Sequence, residues 1–266
     1  MGRESPLSFG HLESTCHESR LDTPIPAAGA DRVLYLLATL AQEGRPLTVA
    51  ALAEQTGMAT STVYRQVALL KRWGFVSERD GEYAPGPVSL QLAVGFDNAE
   101  QLVREARPEM ERLSLESGES AGLVVAVKNQ VVCLDIVEST QPLRCSFERG
   151  RGVTLLRGAS AKSLLAFMPR AACDAVLAEL MANEPESRER LADELEAVRR
   201  AGFAISDSEV DAGIWGVSVP VYRRRDRAAG SLTLMAPSVR ASSREKNLID
   251  RTVIAAGRIS ARLQSF

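Results

Sequence analysis

The sequence predicts an α+β protein in two parts: a small helical module closed by a β-hairpin, then a larger domain on an antiparallel sheet. Three observations carry this expectation. Apolar residues recur at helical spacing in 33–40 and 63–70, and Asp80-Gly81 sits between two short strand-like runs. Beyond residue 121, strand and helix patterns mix without the strict alternation a doubly wound sheet requires. The length of 266 residues also exceeds what one typical domain needs.

Residues 1–29 mix Pro, Ser, Gly and charge without periodicity and read as a disordered tail. Val33, Leu36, Leu37 and Leu40 then mark one face of a helix that Gly44-Arg45-Pro46 ends. Thr48 is placed to cap a second helix through Ala51, Leu52, Ala53 and Gln55, which Gly57 stops. Thr60 or Ser61 would cap a third helix running to Trp73, with Val63, Val67 and Leu70 inward and Trp73 and Phe75 read as core. Asp80-Gly81 between 75–79 and 82–84 is the strongest hairpin signal in the chain. Helix, helix, turn, helix, hairpin within about 55 residues is the layout of a winged helix-turn-helix, assigned to residues 30–87. A linker helix is expected at 88–104, with a helix interrupted at Pro108 continuing to Leu115 and stopped by Gly118.

The second domain is expected over 105–266. Leu123–Val127 and Val131–Val137 read as a hairpin, and Leu143–Glu148 as a further strand. Helices are expected at 160–167, 170–181 and 187–201, strands at 203–206, 214–222 and 231–236, and a closing amphipathic helix from Arg244 to Leu263. No internal repeat is visible.

Composition excludes several classes. Apolar residues make up 45% and charged residues 25%, an ordinary globular balance. No apolar run approaches the roughly 18 residues of a membrane span, and no secretory signal precedes the tail, so a cytoplasmic protein without membrane partner is expected. The net charge of −2 argues against a protein that coats nucleic acid, though not against a local basic patch. The four cysteines (Cys16, Cys133, Cys145, Cys173) form no Cys-x-x-Cys pair, which suggests reduced thiols and no zinc knuckle. Both histidines, His11 and His17, lie in the tail, so neither a Ser–His–Asp triad nor a histidine–zinc site is expected in the folded body. No metal or cofactor is expected.

The third helix carries the functional signal. A helix that reads bases presents short polar side chains and Arg near its N-terminal half, because these fit the major groove and reach base edges. Thr60, Ser61, Thr62, Tyr64 and Arg65 meet that description. Between Gln55 and Ser77 the basic residues Arg65, Lys71 and Arg72 occur with no acidic one, a local run suited to phosphates. Arg79 on the wing extends it. A merely solvated helix face is the competing reading. The neighbouring Gly turn and Asp-Gly hairpin favour double-stranded DNA as partner.

Residues 31–92 resemble the N-terminal domain of the IclR family of bacterial transcription regulators. The stretches are Leu52–Gly57, Ser61-Thr62-Val63-Tyr64-Arg65, Leu69-Leu70, Trp73-Gly74-Phe75-Val76 and Tyr83–Pro87, where Pro85 replaces a usual apolar residue. The resemblance continues through Pro108–Leu113, Gly118-Glu119-Ser120, Ala159–Ala166, Gly202-Phe203 with Glu209, and Gly213 with Pro220-Val221. It implies a homodimer on a roughly palindromic operator, with pairing into tetramers left open. It also implies a GAF-like C-terminal domain that binds a small-molecule effector. The resemblance implicates Ala159 and Ser160 at a helix start in holding a small acid, faced by Cys145, Ser206, Ile214, Gly216, Thr233 and Met235. For each facing residue, core packing is the alternative. Relatives that bind glyoxylate or pyruvate tend to carry Asp and Cys where this chain has Ser206 and Gly216, which suggests a roomier pocket for an aromatic or larger organic acid.

Four tempting motifs point elsewhere. Gly158-Ala159-Ser160-Ala161-Lys162-Ser163 fails the P-loop pattern, since Ala161 precedes Lys162, and reads as a helix start capped by Ser160. Asp207, Glu209 and Asp211 read as a solvated loop. The Glu/Arg alternation in 184–200 reads as an exposed helix face, and Arg223–Arg227 as a basic turn. The rival functional reading is an enzyme with Cys145 or Ser160 as nucleophile, Lys162 as base and an N-terminal interaction module, which the absence of His disfavours.

Overall fold

The structure, a computed structural model, describes residues 28–94, 97–147, 150, 152–224 and 227–265. Nearly all of the expected N-terminal tail lies outside these residues, as do part of the segment 143–148 and part of the basic turn near 225.

The first module follows its periodicity. α1 (Gly29–Glu43) buries Leu36 and Leu40, and Gly44 ends it in the left-handed conformation. A strand absent from the sequence reading, β1 (Leu47–Thr48), precedes α2 (Val49–Thr56). The Thr48 hydroxyl accepts the Ala51 N–H at 3.2 Å, the N-cap bond its position predicts. α3 (Thr60–Arg72) starts one residue before a Thr60 cap would place it and two before a Ser61 cap would. Ala59 is the extended residue at its start, and its carbonyl accepts the N–H groups of Thr62 and Val63, so Thr60 and Ser61 already lie in the first turn. Val63, Val67 and Leu70 close on Leu36, Leu40 and Leu52.

β2 (Val76–Arg79) and β3 (Glu82–Pro85) form the wing. Asp80 and Gly81 both have positive φ, 54° and 78°, the two-residue turn that matches strand twist and that glycine adopts without strain. β1 pairs with the far edge of β3, Leu47 opposite Tyr83, giving a three-stranded sheet in the order β1-β3-β2.

α4 (Pro87–Val94) and α5 (Asp97–Ser117) follow. α5 crosses the expected boundary at 104 and runs through Pro108 without the expected interruption. Leu102, Ala106, Met110 and Leu113, from both sides of the proline, pack into one core and hold the two halves on a common face.

The larger domain is built on β4 (Ser120–Val127), β5 (Gln130–Val137), β6 (Gly152–Thr154), α6 (Gly158–Phe167), α7 (Arg170–Leu180), α8 (Pro185–Ala201), β7 (Ala204–Asp207), β8 (Ile214–Arg224), β9 (Arg227–Pro237), α9 (Ser238–Ala241) and α10 (Glu245–Gln264). Six strands form one antiparallel sheet in the order β6-β5-β4-β9-β8-β7. The expected strand at 143–148 does not form in its described part, and β6 pairs with β5 instead. The segment after β5 satisfies its polar groups locally. Ser139 Oγ donates to the Gly118 carbonyl, Gln141 N–H donates to Ser139 Oγ, and Ser146 and Arg144 donate to Glu138. Pro142 has no N–H to offer a ladder.

Strand alternation splits the sheet's two faces. Trp215, Val217, Val219 and Val221 of β8, with Leu232, Leu234 and Ala236 of β9, face α5 and α10. The intervening Gly216, Ser218, Ser231, Thr233 and Met235 face the α6 side. There hydroxyls meet hydroxyls: Ser163 to Ser231 at 2.8 Å, Ser160 to Thr233 at 2.9 Å, Ser218 to Thr233 at 2.8 Å. Small side chains on both surfaces let α6 lie close on the sheet. α6, α7 and α8 share a second core with Val131, Cys133 and Leu155.

Candidate nucleic-acid interface and ligand cavity

α3 turns one edge into the module and the other to solvent. Val63 and Val67 are fully buried, while Tyr64 keeps 58% of its surface exposed and Ser61 and Arg65 are exposed beside it. Thr60 is exposed at the helix start and Thr62 half-buried. No acidic side chain lies on the helix, and its first-turn N–H groups add a positive end suited to phosphate.

The two basic residues of the last turn differ from Arg65. Lys71 donates to Glu78 of β2 and stands 5.9 Å from the Tyr83 ring, so it ties α3 to the wing. That hydrogen bond raises the Lys71 pKa and lowers that of Glu78. Arg72 lies 5.9 Å over the Trp73 ring. Trp73 is not core as expected: it is 66% exposed, because α3 stops at Arg72 and the chain turns at Gly74, leaving the indole outside the closing contact with Phe75. Arg79, at the wing tip beside Asp80, is almost fully exposed.

The larger domain encloses a cavity of about 350 Å³ between α6 and the sheet. It brings together Ala159, Ser160, Ser206, Ile214, Gly216, Thr233 and Met235, seven of the eight residues expected there. Cys145 is not among its lining: without the expected strand it sits buried in the loop, near Glu119 and Arg240. The sequence reading missed Val131, Cys133, Phe147, Val153, Arg157 and Val210. Period-two alternation along β5 could have indicated Val131 and Cys133. Phe147 was not legible: its ring sits against Gly122 of β4, where any side chain would collide with it.

The start of α6 is capped from another part of the chain. Ser160 does not cap it. Gly158, with φ +84°, lets the helix begin two residues earlier, and the Ser160 hydroxyl bonds Thr233 instead. The Gly158 N–H donates to Glu209 Oε2 at 3.1 Å and the Ala159 N–H to Ser206 Oγ at 3.0 Å. Glu209 is therefore not a solvated loop carboxylate. Its Oε1 also accepts from Lys162 Nζ at 2.5 Å, and Lys162 donates at 2.5 Å to Glu194 of α8. Burial lowers the Lys162 pKa, but the two carboxylates outweigh it and the net shift is upward.

This arrangement disposes of the nucleophile readings. Burial pushes the Cys145 thiol up, which removes thiolate. Ser160 bonds a hydroxyl rather than a base, and Lys162 is held between two carboxylates as a cation. Among the described residues no cluster of three metal-ligating side chains occurs, and no helix is long and apolar enough to cross a membrane.

A winged helix with an exposed polar reading edge, joined to an antiparallel-sheet domain with its own cavity, defines a helix-turn-helix transcription regulator. Residues 98–261 match the bacterial transcriptional regulator IclR C-terminal family and residues 29–80 the IclR helix-turn-helix domain. The chain belongs to the IclR family. Among its relatives are the HTH-type transcriptional regulator Rv1719 of Mycobacterium tuberculosis, 31% identical over 82% of this chain and 85% of that one, and KipR of Bacillus subtilis, 27% identical over 71% and 78%. A protein described as an IclR transcriptional regulator from Silicibacter sp. TM1040 superposes with a TM-score of 0.75 at 28% identity, covering 89% of this chain and 96% of its own. An IclR homolog from Microbacterium hydrocarbonoxydans, solved in complex with 4-hydroxybenzoate, shares the fold with a TM-score of 0.72 at 21% identity over 90% and 100%. Its relatives are regulators and its domains regulatory. The chain is not an enzyme.

Proposed function

We propose that the chain acts as a homodimer that sets the α3 helices of its two copies into successive major grooves of a roughly palindromic operator. The observation that carries this reading is the polar edge of α3, with Ser61, Tyr64 and Arg65 exposed and no acidic side chain among them. One such helix buries too little surface to discriminate a genome, so a second copy is required. Thr60, Thr62, Lys71, Arg72 and Arg79 contribute at the edges, Lys71 through its hold on the wing. Such a regulator works where the chromosome is, in the cytoplasm.

The cavity in the larger domain takes a small organic acid that modulates operator binding. Apolar Val131, Phe147, Ile214 and Met235 suit an aromatic or branched body, while Arg157 and the hydroxyls of Ser160, Ser206 and Thr233 suit its polar ends. The 4-hydroxybenzoate held by the Microbacterium relative is of this class. The α4–α5 segment connects the cavity's domain to the reading helix. A ligand changes the spacing of two reading helices only by its differential affinity for the two arrangements.

Fluorescence anisotropy with a duplex from the chain's own promoter region tests the DNA half. Arg65→Ala is expected to weaken binding about tenfold or more, the scale of one missing base contact, with an unchanged melting profile for the larger domain. Unchanged binding would remove Arg65 from the reading edge. Calorimetry with 4-hydroxybenzoate and glyoxylate tests the other half: tight glyoxylate beside weak aromatic acid overturns the roomy apolar pocket.

A further inference from the structure

The first turn of α6 faces the cavity, and a carboxylate already occupies it. Glu209 Oε2 takes the Gly158 N–H and its Oε1 takes Lys162, while Ser206 takes the Ala159 N–H. These are the donors an acid entering the cavity would seek, since helix-start N–H groups and a buried ammonium favour an anion. The same short segment also covers the space. Val210, next to Glu209, closes directly against Gly158, and Val210 and Asp211 both line the cavity. Segment 206–211 thus supplies both the resident anion and the cover.

Resting on the organic-acid reading above, we infer that Glu209 is an internal competitor for the effector's carboxylate. An acid binds by displacing Glu209 from the Gly158 N–H and swinging the segment 207–213 away from α6. A tethered group competes at a high effective concentration, so it lowers apparent affinity for every acid by the fraction of molecules in which it is seated. An uncharged ligand of the same shape makes only the weaker neutral hydrogen bond to those donors, too little to displace the Glu209 carboxylate, and so binds beside it without this competition. Glu209 therefore sets which acids bind: only those whose body fills the apolar part of the cavity well enough to offset the exchange. Lys162 stays paired with Glu194 during the swing, so the cation is not left bare in the interior.

The test uses the full chain and two probes of equal shape, 4-hydroxybenzoate and the neutral 4-hydroxybenzamide. Glu209→Gln keeps an acceptor for Gly158 and removes the charge. Calorimetry is expected to show 4-hydroxybenzoate binding about tenfold tighter to the variant, with 4-hydroxybenzamide unchanged within twofold. Equal or weaker acid binding by the variant, with the wild type binding normally, overturns the inference and leaves the organic-acid reading standing. Acid binding by neither protein, with a panel of further aromatic and branched acids equally silent, overturns the organic-acid reading and this inference with it. A measurement on the unaltered chain covers the case in which the variant does not fold. Saturating 4-hydroxybenzoate should speed amide hydrogen exchange at 207–213, and slowed exchange there would show the segment closing with Glu209 in place, against the inference.

Discussion

Arg240 grips Glu119 with two parallel hydrogen bonds, Nε to Oε1 at 2.9 Å and Nη2 to Oε2 at 2.7 Å. Glu119 is 2% exposed and sits where α5 gives way to β4, so its charge is desolvated and must be answered there. Arg244 approaches only to 4.0 Å. Arg240→Ala leaves a buried carboxylate largely unpaired and is expected to cost about 3 kcal/mol in urea unfolding. A loss below about 0.5 kcal/mol would mean that water or Arg244 replaces the contact.

The two tryptophans lie in opposite environments, Trp73 at 66% and Trp215 at 4% exposure. Iodide should quench the Trp73 share of the emission and leave the Trp215 share. Trp73→Phe is expected to abolish the quenchable component without changing the melting temperature. Persistent quenching in that variant would place Trp215 within reach of solvent.

Burial raises the thiol pKa of both Cys145 and Cys173. A raised pKa means less thiolate at any pH below it, and so slower alkylation. At pH 8 iodoacetamide is expected to label these two positions at least tenfold more slowly in the native chain than in urea, read by peptide mass analysis. Fast native labelling of Cys145 would reopen the nucleophile reading.

The sequence read well where structure is local. The apolar edges of α1 and α3 follow from spacing, the Thr48 cap from its hydroxyl, and the wing from Asp80-Gly81, because each is decided within a few residues. Interior strands showed through as apolar runs, and the resemblance to the IclR family supplied most of the side chains that face α6. What escaped depends on distant partners. The segment 143–147 has strand-like residues, yet its Arg144 and Ser146 donate to Glu138 and no ladder forms. Glu209 looks like one acid among three until Gly158, 51 positions earlier, is seen donating to it. Trp73 is apolar and lies three residues from core Leu70 and Val76, and only the end of α3 decides that it faces water.

Guanine-N7 methylation interference on the promoter duplex reads the docking of α3 itself, because that atom lies in the major groove. Two clusters of interfering guanines about one helical turn apart are expected, with interference at the inner guanines disappearing in Arg65→Ala. A single cluster, or binding indifferent to methylation throughout, would contradict a pair of α3 helices lying in successive major grooves.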